Sequence, residues 1–208
     1  MAFEPSGPPA IDPEPPGQGS GQRPDVRVRL PLVRLAFIFY GLLLLAALAW
    51  AALAGRPLAW LPAASGAASP LRALGAGLLA AGIVVFASHQ LTQRTRLGDR
   101  LARSLAAALG PLSLFECWWL ALVSGIAEEA FFRGALQPQV GLVAASLLFG
   151  AAHFVPRRDL LPWSLFAVAA GFLLGWLYVA TDSLIAPIVA HAGINGVNLR
   201  LLTQRSLR

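Results

Sequence analysis

The sequence predicts an all-α fold, a polytopic transmembrane helical bundle of about six spans with one further helix at the interface. Three observations predict it. Hydrophobic residues fill 57% of the 208 positions and charged residues only 12%, against about 25% charge in ordinary globular chains, so a soluble fold would lack polar surface. Mean hydropathy is +0.65. The apolar residues also gather in long runs bounded by Pro, Gly, Ser or Arg, many near the roughly 20 residues that a helix needs to cross about 30 Å of hydrocarbon.

Residues 1–29 are expected to form a disordered tail, rich in Pro, Gly and Ser, with Glu4, Asp12, Glu14 and Asp25 scattered and no apolar period. No basic region leads into a short apolar stretch and cleavage site at Met1, so a cleaved signal peptide is not expected. The six apolar runs are 33–54, 71–88, 112–136, 140–154, 161–181 and 184–202. A Pro/Gly/Ser-rich stretch, 55–70, separates the first two. Residues 88–110 set His89, Arg94, Arg96, Asp99, Arg100 and Arg103 among Leu and Ala, the composition of a helix lying at the interface. Pro111 then suits the first turn of the third run. The fourth run is short for an independent span and stops near Pro156, which points to a tilted or sheltered segment. In the fifth, Gly171 and Gly175 form a G-x-x-x-G pair that lets helices approach closely, within the chain or between copies.

All 16 basic residues are arginine and the net charge is +6. They flank apolar runs instead of forming a dense polar face, so nucleic-acid binding is not expected. Arg27, Arg29 and Arg34, the group from Arg94 to Arg103, Arg157 with Arg158, and Arg200, Arg205 and Arg208 alternate with less basic connections. The positive-inside rule then places both termini in the cytoplasm, with a basic rim suited to anionic lipid or an acidic peptide. The single cysteine, Cys117, permits no internal disulfide or thiolate zinc cluster, and beside Trp118 and Trp119 it reads as core filler.

Ionisable groups at membrane depth are costly and mark function. The third run holds Glu128 and Glu129 side by side, with Arg133 one turn on. At about 100° per residue, Glu129 and Arg133 lie about 40° apart on nearly one face while Glu128 points elsewhere. Glu129 and Arg133 are thus expected to neutralise each other, leaving Glu128 as a general base; the plainer alternative is one buried ion network that specifies the bundle. His153 ends the fourth run with Phe149 one turn before it, and His191 and Asn195 share a face of the last helix. Glu128 and His153 can position and deprotonate a water while His191 and Asn195 donate to a carbonyl oxygen as it becomes negative. The same residues allow a second scheme, with Glu128, His153 and His191 as the ligands of a catalytic zinc, although no H-E-x-x-H is present.

EEAFFR at 128–133 matches an E-E-x-x-x-R motif, FGAAH at 149–153 an F-x-x-x-H motif and HAGIN at 191–195 an H-x-x-x-N motif. With these motifs in this order, the chain resembles the CPBP family, the CAAX protease and bacteriocin-processing (Abi) membrane proteins related to the Rce1-type CAAX endopeptidase, over about residues 111–202. The resemblance implies a catalytic core at 111–203, preceded at 30–110 by two variable spans and an interfacial linker. It implies a membrane endopeptidase in which Glu128 and His153 activate water and His191 and Asn195 form the oxyanion site; no cofactor is expected, with zinc left as the alternative. Glu129 and Arg133 are then mainly architectural, with Phe149 supporting the site. Membrane lipids and a membrane-associated or lipidated protein or peptide substrate are the implied partners, met through a cavity open to the cytosolic side of a bacterial cytoplasmic membrane. The sequence names neither the substrate nor the oligomeric state. A noncatalytic membrane interaction or immunity-type scaffold remains an alternative class, as does a small proton-coupled transporter, which the lack of an evident internal repeat disfavours.

Overall fold

The computed structural model describes residues 26–62 and 69–206, with side chains from 34 to 205 inside those limits. Residues 1–25 of the expected tail, and residues 63–68 of the stretch 55–70, lie outside the described residues. Among the described residues there is no strand. The first helix, α1 (Val26–Leu53), begins inside the stretch read as tail. α2 (Pro70–Arg94) opens at Ser69, whose hydroxyl accepts from the Arg72 N–H, with Pro70 in the first turn. It continues past Ser88, the end of its apolar run, until Thr95 stops it and caps α3 (Arg96–Leu109) by accepting from the Gly98 N–H at 3.0 Å. α3 buries Gly98, Ala102 and Ala106 and turns its arginines outward, so it is amphipathic.

A capping box, and not Pro111, starts α4 (Leu114–Glu129). Glu116 N–H donates to Ser113 Oγ at 3.1 Å and Ser113 N–H to Glu116 Oε2 at 2.7 Å. Proline fixes only its own φ, whereas these two side chains satisfy N–H groups that the helix leaves orphaned. α4 passes without a gap into a π-helical turn, Ala130–Leu136, and then into α5 (Gln137–Ala152). Within α5, Gly141 has φ 83° and ψ 166°, a conformation open almost only to glycine. The chain reverses there. A straight helix would hold Glu128 and His153 about 37 Å apart, yet their side chains meet at 3.5 Å.

The third and fourth apolar runs are therefore the two legs of one helical hairpin. By length and composition, the described residues hold 5 segments able to cross a membrane, the third of them this hairpin: Arg34–Leu53, Pro70–Arg94, Leu114–Ala152, Arg158–Thr181 and Ile185–Arg205. After a short 3-10 turn, α6 (Leu161–Thr181) lies along α5, and α7 (Ile185–Ser206) runs between α2 and α4. Gly171 and Gly175 serve contacts within the chain: a Cβ at Gly171 would lie 2.9 Å from Ser146 O, and one at Gly175 would lie 2.7 Å from Gln137 Oε1. The core is built from Phe132, Leu136, Phe149, Leu174 and Leu177, and a second cluster with Ala47, Ala51 and Leu184 seats α1. Leu35, Phe39, Leu42, Leu78 and Phe86 stay exposed on α1 and α2, as helices facing lipid require.

Candidate active site

The hairpin brings its two legs together around the paired glutamates, and each glutamate faces a different partner. Glu129 is fully buried, with Arg133 Nε 3.1 Å from Oε2 and His191 Nδ1 2.7 Å from Oε1. A carboxylate accepts, so the Nδ1–H of His191 donates to it. Arg133 also donates through Nη2 to Gly171 O at 3.1 Å and sits 4.3 Å above the Phe149 ring. One turn further on, Gln137 Nε2 donates to Gly175 O at 3.1 Å, so the junction of the π-helical turn with α5 lies against α6. The expected Glu129–Arg133 pair is present, and it is extended to α7 through His191.

Glu128 is buried too, but its Oε2 has no hydrogen-bond partner and faces His153 Nε2 at 3.5 Å. His153 Nδ1 lies 2.8 Å from Phe149 O. A carbonyl can only accept, which fixes the proton on Nδ1 and leaves Nε2 toward Glu128. Phe149 holds the site from the middle: its ring centroid is 4.5 Å from that of His153 and 6.0 Å from that of His191.

Asn195 reaches the cluster through a residue that sequence reasoning missed. Its Nδ2 donates to Ser124 Oγ at 3.3 Å, and Ser124 lies one turn before Glu128 on α4. Tyr40 of α1 was missed as well; its hydroxyl lies beside Glu128 and Ser124. The i to i+4 spacing of Ser124 and Glu128 was a readable signal for the first. For the second, the only sign was that Tyr40 carries the one hydroxyl between Leu35 and Leu53. The structure thus gathers Glu128, Glu129, Arg133, Phe149, His153, His191 and Asn195 at one place.

The zinc alternative fares differently. Among the described residues, no group of three His, Cys, Asp or Glu side chains is arranged to hold a metal ion.

Residues 110–197 match a family model described as type II CAAX prenyl endopeptidase Rce1-like, so an Rce1-like domain covers part of the chain. The matched stretch holds both glutamates, both histidines and Asn195, and leaves out Tyr40. An uncharacterized protein of Bacillus subtilis (strain 168), YpbD, is 46% identical over 81 residues, which are 38% of this chain and 41% of that protein. The alignment therefore spans less than half the length of that relative. No solved structure matches the chain.

Proposed function

We propose that this Rce1-like chain is an intramembrane endopeptidase that hydrolyses a peptide bond in a membrane-associated or lipidated protein or peptide. The observation that carries the reading is the facing pair, buried Glu128 Oε2 and half-buried His153 Nε2, 3.5 Å apart. With its proton held on Nδ1, His153 offers a lone pair at Nε2, and the Glu128 carboxylate offers another. Two acceptors turned toward each other are satisfied by a water that donates one hydrogen to each. The water's oxygen then attacks the scissile carbonyl, its proton passes to Glu128, and Glu128 returns that proton to the leaving amine.

His191 and Asn195 are assigned to the developing oxyanion. As an imidazolium, His191 donates Nδ1–H to Glu129 and keeps Nε2–H for the substrate oxygen, while Asn195 has a second amide hydrogen beyond the one given to Ser124. Glu128, Glu129, Arg133 and the imidazolium sum to zero charge, the condition under which buried ions cost least. Residues 111–203 are the proposed catalytic core and 30–110 the accessory spans, in a bacterial cytoplasmic membrane with both termini on the basic, cytoplasmic side.

The test is peptide release from a membrane-proteome library by purified protein in lipid nanodiscs, comparing wild type, Glu128→Gln and wild type with a zinc chelator. Turnover is expected to fall at least about 100-fold in Glu128→Gln and to persist with chelator. Cleavage that survives Glu128→Gln would sink the assignment of the base. Release by none of the samples would favour the noncatalytic interaction protein.

A further inference from the structure

Tyr40 stands out on α1 for chemical reasons. Between Leu35 and Leu53 every other residue is hydrocarbon, glycine or Trp50, and most of the large ones face outward. The inward strip is Tyr40, Leu44, Ala47 and Ala51, at the i, i+4, i+7 and i+11 spacing of one helix face. Ala47 and Ala51 are buried against Ala130 and Ala135, and small side chains there let α1 approach the hairpin closely. Phe37 packs its ring 5.6 Å from that of Trp119, and Trp50 packs 6.1 Å from Phe131. These contacts on either side of Tyr40 fix the depth at which its hydroxyl meets α4. There it comes beside Glu128 and Ser124, and Ser124 accepts from Asn195.

A phenol bonded to a carboxylate in a dry setting gives a short, directional contact, stronger than it would be in water. A carboxylate on a flexible glutamate stem needs such a contact to keep one oxygen turned in a fixed direction. We propose that Tyr40 is a positioning residue of this site: its hydroxyl holds Glu128 in the orientation that faces His153 and, through Ser124, ties Glu128 to Asn195. This rests on the peptidase reading above. It makes α1 part of the site although α1 lies outside the matched residues 110–197.

The chain has 2 tyrosines, Tyr40 and Tyr178, so a Tyr178→Phe background leaves Tyr40 as the sole tyrosine. Infrared spectra of ring-labelled tyrosine in that background read the phenolic C–O stretch, which reports whether the hydroxyl donates. The band is expected to shift when Glu128→Ala is added. In parallel, Tyr40→Phe and Ser124→Ala are each expected to lower kcat about tenfold on a peptide from the library screen, with KM and the thermal midpoint nearly unchanged. A purely structural role for Tyr40 would instead lower the midpoint and leave kcat of the folded fraction intact, which overturns the proposal. A band that ignores Glu128→Ala overturns it too. Should the wild type cleave nothing, the peptidase reading fails by itself, and the band alone decides whether Tyr40 holds Glu128.

Discussion

Arg133 is the largest of the fully buried side chains, and nearly all that it touches belongs to another part of the site: Glu129, Gly171 O and the Phe149 ring. Replacing it with methionine keeps the volume but leaves Glu129 with His191 alone, and breaking a buried pair costs about 3–5 kcal/mol. Thermal unfolding in detergent is expected to show Arg133→Met as strongly destabilised; a midpoint equal to wild type would disprove the pairing as a source of stability. This pair was legible in the sequence because i to i+4 geometry is local. The bond from His191 to Glu129 was not, since it requires α7 to pack on α4 closely enough that a Cβ on Gly125 would sit 3.3 Å from Ala192 N. Tyr40 was hidden for the same reason: a hydroxyl on an apolar helix acquires a meaning only when the helix has a neighbour.

Among the elements, the hairpin depends most on one backbone conformation. A Cβ on Gly141 would meet nothing within 4 Å, so Gly141→Ala would strain the backbone at φ 83° without any clash. The expected loss is about 1–3 kcal/mol. Gly82 in α2 has equally open surroundings but no positive φ, and Gly82→Ala is expected to be neutral or stabilising by up to about 1 kcal/mol. Equal unfolding midpoints for the two variants would show that the reversal carries no strain specific to glycine. The six apolar runs were readable because hydropathy reports depth. The continuity of the third and fourth was not, because Gln137, Pro138 and Gln139 look like a loop. Gln137 is instead buried, its amide bonded to Gly175 O, so a polar residue could stay within the helix.

Across the whole molecule, α3 is tied to the bundle by carboxylates at one end. Asp99 pairs with Arg103 and with Arg205 of α7, and Asp159 pairs with Arg157 and lies beside Ser104 of α3. Desolvation pushes Asp99 upward, but the hydrogen bonds from Arg205 and Arg103 outweigh it, and the net shift is below the ordinary 3.8. Asp159 is lowered chiefly by Arg157 and then by Ser104. Depressed carboxyl values mean that the ties are complete above the ordinary value and are lost as pH falls through the lower folded one. Protection factors of α3 amides, with the intrinsic pH dependence of exchange divided out, are therefore expected to hold steady down to about pH 4 and to fall below it. A fall already near neutral pH would rule out these carboxylates as the fastening.

The return leg of the hairpin has a consequence for how the chain is made. Residues 142–152 amount to about 17 Å of helix, little more than half the hydrocarbon thickness. When this leg leaves the ribosome, α6 and α7 do not yet exist, and Ser146 and Phe149 have no Gly171 or His191 to meet. A segment that short gains too little from lipid to settle by itself. Its seating has to await α6, so assembly of the site is a late, concerted event in biogenesis, not the last of a series of independent insertions.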